Sequence, residues 1–335
     1  MTAFELYLNR RAKLIDRYLA GFFTDGANPD MRRYLYGPLA AFSDNAGKRH
    51  RPLICLLACE AVGGDPDRAM TSAAAIEHFH TAALVHDDIE DSSLTRRDEP
   101  CMHVREGLGV AINAGDLALS LVTGTVLEDE GLDDRTKLRV LKELVDMTTR
   151  TIEGQALDIG WARDDRFDLT VDDYLTMANH KTAYYSGAVP LAVGAIVGGG
   201  TEEQIALLRD FGMAAGLAFQ IQDDVLNLVG TREATKKDFR SDLAEGKRTL
   251  VAIHALQEST RRERLLEILS KRTSDPSELA EAVDIMRETG SIDFAHSYAE
   301  RLILEAKTRL AAELPRSKAR DLLLSMADFF VARKS

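Results

Sequence analysis

The sequence predicts an all-α fold, and three observations carry that reading. Runs rich in Ala, Leu, Glu and Arg dominate, and these residues favour helix. No segment alternates apolar and polar residues with the period of a half-buried strand. Only 8 prolines interrupt the 335 residues, and a hydrophobic content of 45% supplies a sizeable core. The length allows one large domain or two ordinary ones. No Gly-, Pro- or Ser-rich linker divides the chain and no fixed-period repeat appears, so one helical domain over residues 1–335 is the simplest account.

Residues 1–24 carry an amphipathic helical pattern that ends at TDGANPD. A second pattern covers Met31–Phe42 and runs into the polar loop SDNAGKRHRP. Pro52 suits the first turn of the next helix, which stops at Gly63–Gly64. Lys48, Arg49, His50 and Arg51 therefore stand at or near a helix N-terminus, where free N–H groups favour anions. An ordinary basic loop is the plain alternative. Cys55 and Cys59, four apart, have the spacing of a metal pair but read as core residues. Asp65 reads as an N-cap with Pro66 behind it, opening a long helix to Asp91. Further helices are expected near 110–128 and 133–162. Thr170 reads as the N-cap of a helix that carries Lys181 and Thr182, and Pro190 and Gly194 should kink or break it. Thr201 and Gln204 form a capping-box pattern before another long helix. Its Gly212 and Gly216 make a small-residue face, and Gln220, Asp223, Asp224 and Asn227 share one face near its end. A charged loop with Lys236, Lys237, Lys247 and Arg248 follows. Residues 251–335 read as amphipathic helices with a basic end, VARKS.

The chemistry concentrates at residues 80–97, HTAALVHDDIEDSSLTRR. Asp87 and Asp91 share a helix face. Two acids that close repel unless a cation sits between them, and the helix C-terminus adds partial negative charge. Oxygen ligands of this kind suit Mg²⁺, which keeps waters and takes further ligands from substrate phosphates. Arg96 and Arg97 supply forked donors for those phosphates. His80 lies two turns before Asp87 on the same face. A solvated acidic helix end would explain Asp87, Asp88 and Asp91 alone. The similar cluster DDVLN at 223–227, again followed by basic residues, argues against that.

Net charge is −12, which argues against nucleic acid or an anionic membrane as the main partner. It permits an anionic small substrate, because local Lys, Arg and Mg²⁺ reverse the sign of a site. Charges interrupt the N-terminus where a signal peptide would need an apolar run. The most apolar window, Ala183–Val197, falls short of the ~18–20 residues of a membrane span. No transmembrane segment and a cytoplasmic location are expected.

Taken together, the chain resembles the trans-isoprenyl diphosphate synthases, the polyprenyl synthetase family. GKRHRP is similar to the family's GKxxRP loop, and DDIED followed by RR to its first aspartate-rich motif. GQALD, HKT, FQIQDD and DxxxGKRTL (Asp242 to Leu250) fall in the family's order and spacing. The resemblance implies a single-domain helical bundle around a deep central cavity, usually a homodimer. The two aspartate-rich helices would face each other across the cavity mouth. It implies three Mg²⁺, with Mn²⁺ as a substitute, held by Asp87 and Asp91 on one side and Asp223 on the other, within the motifs that also contain Asp88 and Asp224. Arg96, Lys181, Gln220, Lys237 and Lys247 would contact the allylic diphosphate or its metals. Lys48, Arg51, His80 and Arg97 would bind isopentenyl diphosphate, and Thr182 would lie beside the reacting carbons. The chain departs from the family at Asn227, often a third aspartate, and at Lys236 and Arg240, often glycine.

In this family product length follows cavity depth along the first aspartate-rich helix. Ala82 and Ala83 are small where a farnesyl synthase typically has a bulky aromatic. Phe79, roughly 12 Å from Asp87 at ~1.5 Å per residue, is the candidate floor, with outward packing as its alternative. The expected product is C20 geranylgeranyl diphosphate, with C25 or longer left open. Two rivals remain. A class I terpene cyclase usually carries an Asn/Ser/Glu motif where DDVLN stands and lacks Lys48, Arg51 and His80 as a set. A non-catalytic partner subunit usually loses an aspartate-rich motif.

Overall fold

The computed structural model describes residues 2–23, 28–44, 47–230 and 240–331. Helix α1 (Ala3–Ala20) opens with a Thr2–Glu5 capping box. Helix α2 (Pro29–Met31) widens into a π turn at Arg32–Tyr36 and continues as α3 (Gly37–Asp44). Helix α4 (His50–Ala61) is followed by an Asp65-capped 3₁₀ turn, Pro66–Ala69, and by α5 (Met70–Glu90). A short ribbon pairs β1 (Thr95–Arg96) with β2 (Glu99–Pro100), antiparallel, with Thr95 opposite Pro100. Then come α6 (Met102–Arg105), α7 (Leu108–Leu127), α8 (Asp134–Arg163) and α9 (Val171–Ala178). A π stretch, Asn179–Ala188, joins α9 to α10 (Val189–Val197), and α11 (Glu202–Val229) follows. The rest is α12 (Ser241–Ala244), α13 (Leu250–Glu258), α14 (Arg262–Lys271), α15 (Pro276–Glu288), α16 (Ser291–Glu313) and α17 (Lys318–Val331). The all-α expectation holds.

The chain divides into two compact units. The first comprises Met1–Asp146, Val189–Leu208 and Arg316–Leu323, and the second Met147–Ala188, Arg209–Pro315 and Leu324–Ser335. Each is described by itself.

In the first unit, α4 and α10 pack backbone against backbone. A Cβ added at Gly194 would overlap the Cys55 carbonyl oxygen, and one at Gly198 would come within 2.7 Å of that of Cys59. Gly194 is therefore a close-approach residue and not a break. Every residue of α4 from Leu53 to Cys59 is fully buried, and a leucine so placed contributes ~1.5–3 kcal/mol. The two cysteines are core residues, as expected. Burial pushes both thiols up, Cys59 to about 11. Helix α5 lies against α4 and α7. Ala82 is buried with Phe23, Leu39 and Ala118, while Val85 packs with Met102, Ala111 and Ala114. Phe79 is 2% exposed. Helix α7 is, among the described residues, the one helix long and apolar enough to cross a membrane by length and composition. Its Ala111, Ala114 and Ala118 belong to the core, and Leu108, Ile112 and Leu127 are exposed.

In the second unit, the π stretch is gripped by glycines. A Cβ at Gly154 of α8 would overlap the Lys181 backbone nitrogen, and one at Gly216 of α11 would come within 2.8 Å of the Ala183 Cα. Gly187 and Gly212 abut each other in the same way. The small-residue face expected on α11 is thus the surface that carries Lys181 and Thr182. The kink expected at Pro190 takes another form. The helix widens before the proline, easing the chain past its missing N–H and its ring, and then continues as α10.

Two substitutions on α8 should move stability in opposite directions. Gly154→Ala must push Lys181 away and should cost roughly 1–3 kcal/mol, whereas Gly160→Ala meets open space and should add ~0.5–1 kcal/mol. Denaturant titration of both variants checks this, and equal midpoints would refute it.

Candidate active site

At the end of α5 the neighbouring acids part company. Asp88 is 1% exposed and accepts from Arg96 Nε at 2.7 Å. Burial pushes its carboxyl up against the pull of Arg96. Asp87 is half-buried and accepts from Arg96 Nη2 at 3.2 Å. Asp91 caps the helix, its N–H donating to the Asp87 carbonyl oxygen at 2.9 Å, and its side chain is half-buried too. Two accessible carboxylates thus stand at the negative end of a helix, with the third locking an arginine. Among the described residues no group of three or more His, Cys, Asp and Glu converges as a closed metal cage. The donors present are hard oxygens, few in number, which fits an ion that completes its shell with water and phosphate.

Arg96 and Arg97 straddle a hairpin. Arg97 and Asp98 form its two-residue loop with φ of 54° and 67°, the backbone of a type I′ turn, where Asn-Gly is the usual sequence. Arg96 turns to the acids. Arg97 turns to the GKRHRP loop, and a Cβ on Gly47 would lie 3.1 Å from its Nη2. That loop also splits. Lys48 is exposed, while Arg49, at φ 50°, is buried. Arg49 pairs with Asp16 at 2.8 Å and Glu77 at 2.7 Å and donates to the Ser43 carbonyl. Arg51 Nη1 donates to His80 Nε2 at 3.1 Å, which places the imidazole's own proton on Nδ1. Burial, then Arg51, His50, Arg97 and Arg96, hold His80 well below its ordinary pKa. One neutral histidine thus registers the positive field of several cations, the electrostatic signature of an anion site. Arg51, His80 and Arg97 come together, while Lys48 lies exposed on the same loop.

In the second unit, Lys181 pairs with Asp158. Burial pushes Asp158 up, but Lys181, Lys247 and Arg248 outweigh it and hold the carboxyl below its ordinary value. Thr182 Oγ1 donates to Gln220 Oε1 at 2.7 Å, Gln220 Nε2 donates to Asp224 Oδ1 at 2.7 Å, and Tyr174 OH donates to Asp224 Oδ2 at 2.8 Å. Asp223 is half-buried and Asp224 buried. Asn227, where the family often has a third aspartate, has its amide engaged within the protein. Nδ2 donates to Ser241 Oγ at 3.0 Å, and Oδ1 accepts from Asp242 N at 3.3 Å, so the amide holds the start of α12. Arg240 precedes α12 at φ 59°, a left-handed position that favours glycine, which accounts for the family's preference there. Lys247 stands 2.9 Å from Glu245 and 3.6 Å from Asp242. Lys236, Lys237, Arg333 and Lys334 lie outside the described residues.

The sequence reading passed over Tyr174, and it named Asp158, Lys181 and Arg248 without pairing Asp158 with Lys181 or giving Arg248 a role. Arg248 donates to the Arg166 carbonyl oxygen at 2.9 Å and lies 4.0 Å over the Phe167 ring, fixing the loop that carries Lys247. The pair could have been found from GQALD ahead of HKT. Tyr174 carries no local signal.

A model of the polyprenyl synthetase family matches residues 32–286. The chain belongs to this family. It is 42% identical over 290 residues to a short chain isoprenyl diphosphate synthase of Methanothermobacter thermautotrophicus, covering 86% of this chain and 87% of that one. It is 36% identical to a geranylfarnesyl diphosphate synthase of Natronomonas pharaonis, covering 89% and 90%. A geranylgeranyl pyrophosphate synthetase of Pyrococcus horikoshii superposes with a TM-score of 0.91 at 36% identity, covering 98% of both chains. As a polyprenyl synthetase the chain is a prenyltransferase, and the family is generally Mg²⁺-dependent.

Burial makes this family member acid-sensitive. His78 is 1% exposed, with the Phe22 and Phe23 rings edge-on at 4.8 and 5.6 Å. Burial lowers its pKa from 6.5 to about 4. Below the unfolded value the unfolded chain binds a proton that the folded chain does not. Stability is therefore full above pH ~6.5 and falls as pH drops toward 4, by up to ~3 kcal/mol for this group. His80 adds in the same direction. In urea titrations from pH 4.5 to 8, His78→Leu should flatten part of the slope, and an unchanged slope would refute the assignment.

Proposed function

We propose that the chain is a geranylgeranyl diphosphate synthase, condensing isopentenyl diphosphate head-to-tail with an allylic diphosphate and stopping at the all-trans C20 product. The observation that carries the substrate reading is the cationic group around neutral His80, set a few residues from the accessible Asp87 and Asp91. Asp87 and Asp91, and on the other aspartate-rich helix Asp223, hold Mg²⁺, three ions in all. Bound Mg²⁺ neutralises the charge of the leaving diphosphate. Arg96, oriented by Asp88, and Lys181, oriented by Asp158, stand ready as fixed donors to the allylic diphosphate and need not rearrange during reaction. Gln220, Lys237 and Lys247 serve the same group. Lys48, Arg51, His80 and Arg97 take the isopentenyl diphosphate. The C–O bond of the allylic substrate breaks with its electron pair leaving on diphosphate, and the double bond of isopentenyl diphosphate attacks the cation. A proton then leaves to the released diphosphate, the nearest base.

The C20 assignment rests on Phe79, the bulky residue two turns below Asp87 on α5, with half-buried Ala83 above it. A C25 product has support from the geranylfarnesyl relative.

We place the protein in the cytoplasm as a homodimer. Exposed apolar residues at heptad spacing along α8, Leu138 (68%), Val145 (52%), Ile152 (59%) and Ile159 (40%), give a second copy a stripe to cover.

The deciding experiment supplies isopentenyl diphosphate with dimethylallyl, geranyl or farnesyl diphosphate, with and without Mg²⁺, and reads products by mass spectrometry. A Mg²⁺-dependent C20 diphosphate is expected. A C25 product would keep the synthase and move the floor, a cyclic hydrocarbon from one substrate would point to a cyclase, and no turnover would point to a partner subunit. Phe79→Ala should lengthen the product by at least one C5 unit, and an unchanged product would refute the floor.

A further inference from the structure

We infer that Tyr174 is a positioning residue for prenyl transfer, acting through Asp224 and Gln220 to fix the direction in which the Thr182 hydroxyl points. The inference rests on the proposed placement of Thr182 beside the reacting carbons. It starts from three hydrogen bonds in one chain. Tyr174 OH reaches Asp224 at 2.8 Å, Gln220 reaches Asp224 at 2.7 Å, and Thr182 reaches Gln220 at 2.7 Å. Tyr174, Asp224 and Thr182 are 1%, 7% and 6% exposed, and Gln220 between them is half-buried.

The sense of the chain follows from what each group can do. Gln220 turns its Nε2 to Asp224 and its Oε1 to Thr182, and an amide oxygen only accepts. Thr182 must then donate to Gln220, which directs its proton away and leaves its lone pairs for whatever lies on its other side. An oxygen lone pair facing an allylic carbon stabilises positive charge as it develops, whereas a hydroxyl proton there opposes it. Tyr174 supplies the donor that keeps the second Asp224 oxygen satisfied, and burial keeps its phenol protonated. Without that donor Asp224 holds a buried acceptor with no partner, a costly state. It relieves this by rotating, and the amide of Gln220 is then free to flip. Tyr174 sits in the first turn of α9, set by the Thr170–Asp173 capping box. Its phenol reaches Asp224 of α11 from this neighbouring helix.

A double-mutant cycle on the full chain tests this, using isopentenyl diphosphate, an allylic diphosphate and Mg²⁺. Tyr174→Phe should lower kcat about tenfold, the rate equivalent of one buried hydrogen bond, with both KM values within about twofold. It should also raise the share of allylic alcohol, formed when water takes the cation. Thr182→Val should lower kcat by itself, and the double variant should fall no further. Multiplying losses, or a Tyr174→Phe enzyme with unchanged kcat, would overturn the inference. If Thr182→Val leaves kcat unchanged, the placement of Thr182 falls and the inference with it. If Thr182→Val is slow and Tyr174→Phe is not, the inference alone falls. Should Tyr174→Phe not fold, Asp224→Asn replaces it. Its amide can donate to Gln220 and reverse the sense of the chain at the same shape. The same non-multiplying loss with Thr182→Val is expected, and multiplying losses overturn the inference.

Discussion

Neighbouring residues on an α-helix point about 100° apart, and this constraint governs both aspartate-rich segments. In Asp87–Asp88 and in Asp223–Asp224 the first acid stays partly accessible and the second turns into the protein. The inward acid meets a partner each time. Asp88 finds Arg96, while Asp224 finds Tyr174 and Gln220. A doubled aspartate is therefore a division of labour in which one carboxylate is offered to a cation and its neighbour orients a working side chain. Burial pushes both inward carboxyls up, and these partners pull against it.

The same economy applies to the bases. Lys181 is aimed by Asp158, and the Lys247 loop is fixed through Arg248 on Phe167. Arg49, inside a basic loop, spends its charge on Asp16 and Glu77 and so ties that loop to α1 and α5. A site that binds diphosphate needs cations that do not scatter when the ligand is absent. Here carboxylates hold some of them in place, at the cost of reducing their free charge. His80 completes this logic. Burial first, and then the cations around it, hold its pKa down, so it contributes a hydrogen bond without adding to the repulsion.

Much of this was legible in the sequence. Caps at Asp65, Thr170 and Thr201 mark helix starts because their side-chain oxygens have a fixed local task. The order of the acidic and basic motifs was sufficient for the family. What escaped depends on backbone angles or on distant partners. The ribbon at Thr95–Pro100 carries Arg-Asp where a type I′ turn usually has Asn-Gly, so its loop gave no turn signal. Arg49 turns inward through a positive φ that no pattern of charges announces. Tyr174 and Asp224 lie 50 residues apart, and only the fold joins them. Asn227 closes the second aspartate-rich segment, and nothing in that pattern announces that its amide holds α12.

Two of the places where local rules are broken fall where chemistry is expected. Arg97 and Asp98 hold left-handed angles at the hairpin tip, and Lys181 and Thr182 lie in a π stretch that a regular helix would not form. Each departure needs surroundings that over-determine it. For the π stretch these are the glycines of α8 and α11, which admit its backbone at contact distance and leave it no room to relax into a narrower helix. The extra residue per turn rotates Lys181 and Thr182 relative to where an α-helix would put them. Lys181 thereby meets Asp158, and Thr182 meets Gln220. The glycines, the widened turn and the proline after it form one device. Changing any of them should be felt first in the aim of these side chains, and only secondarily in stability.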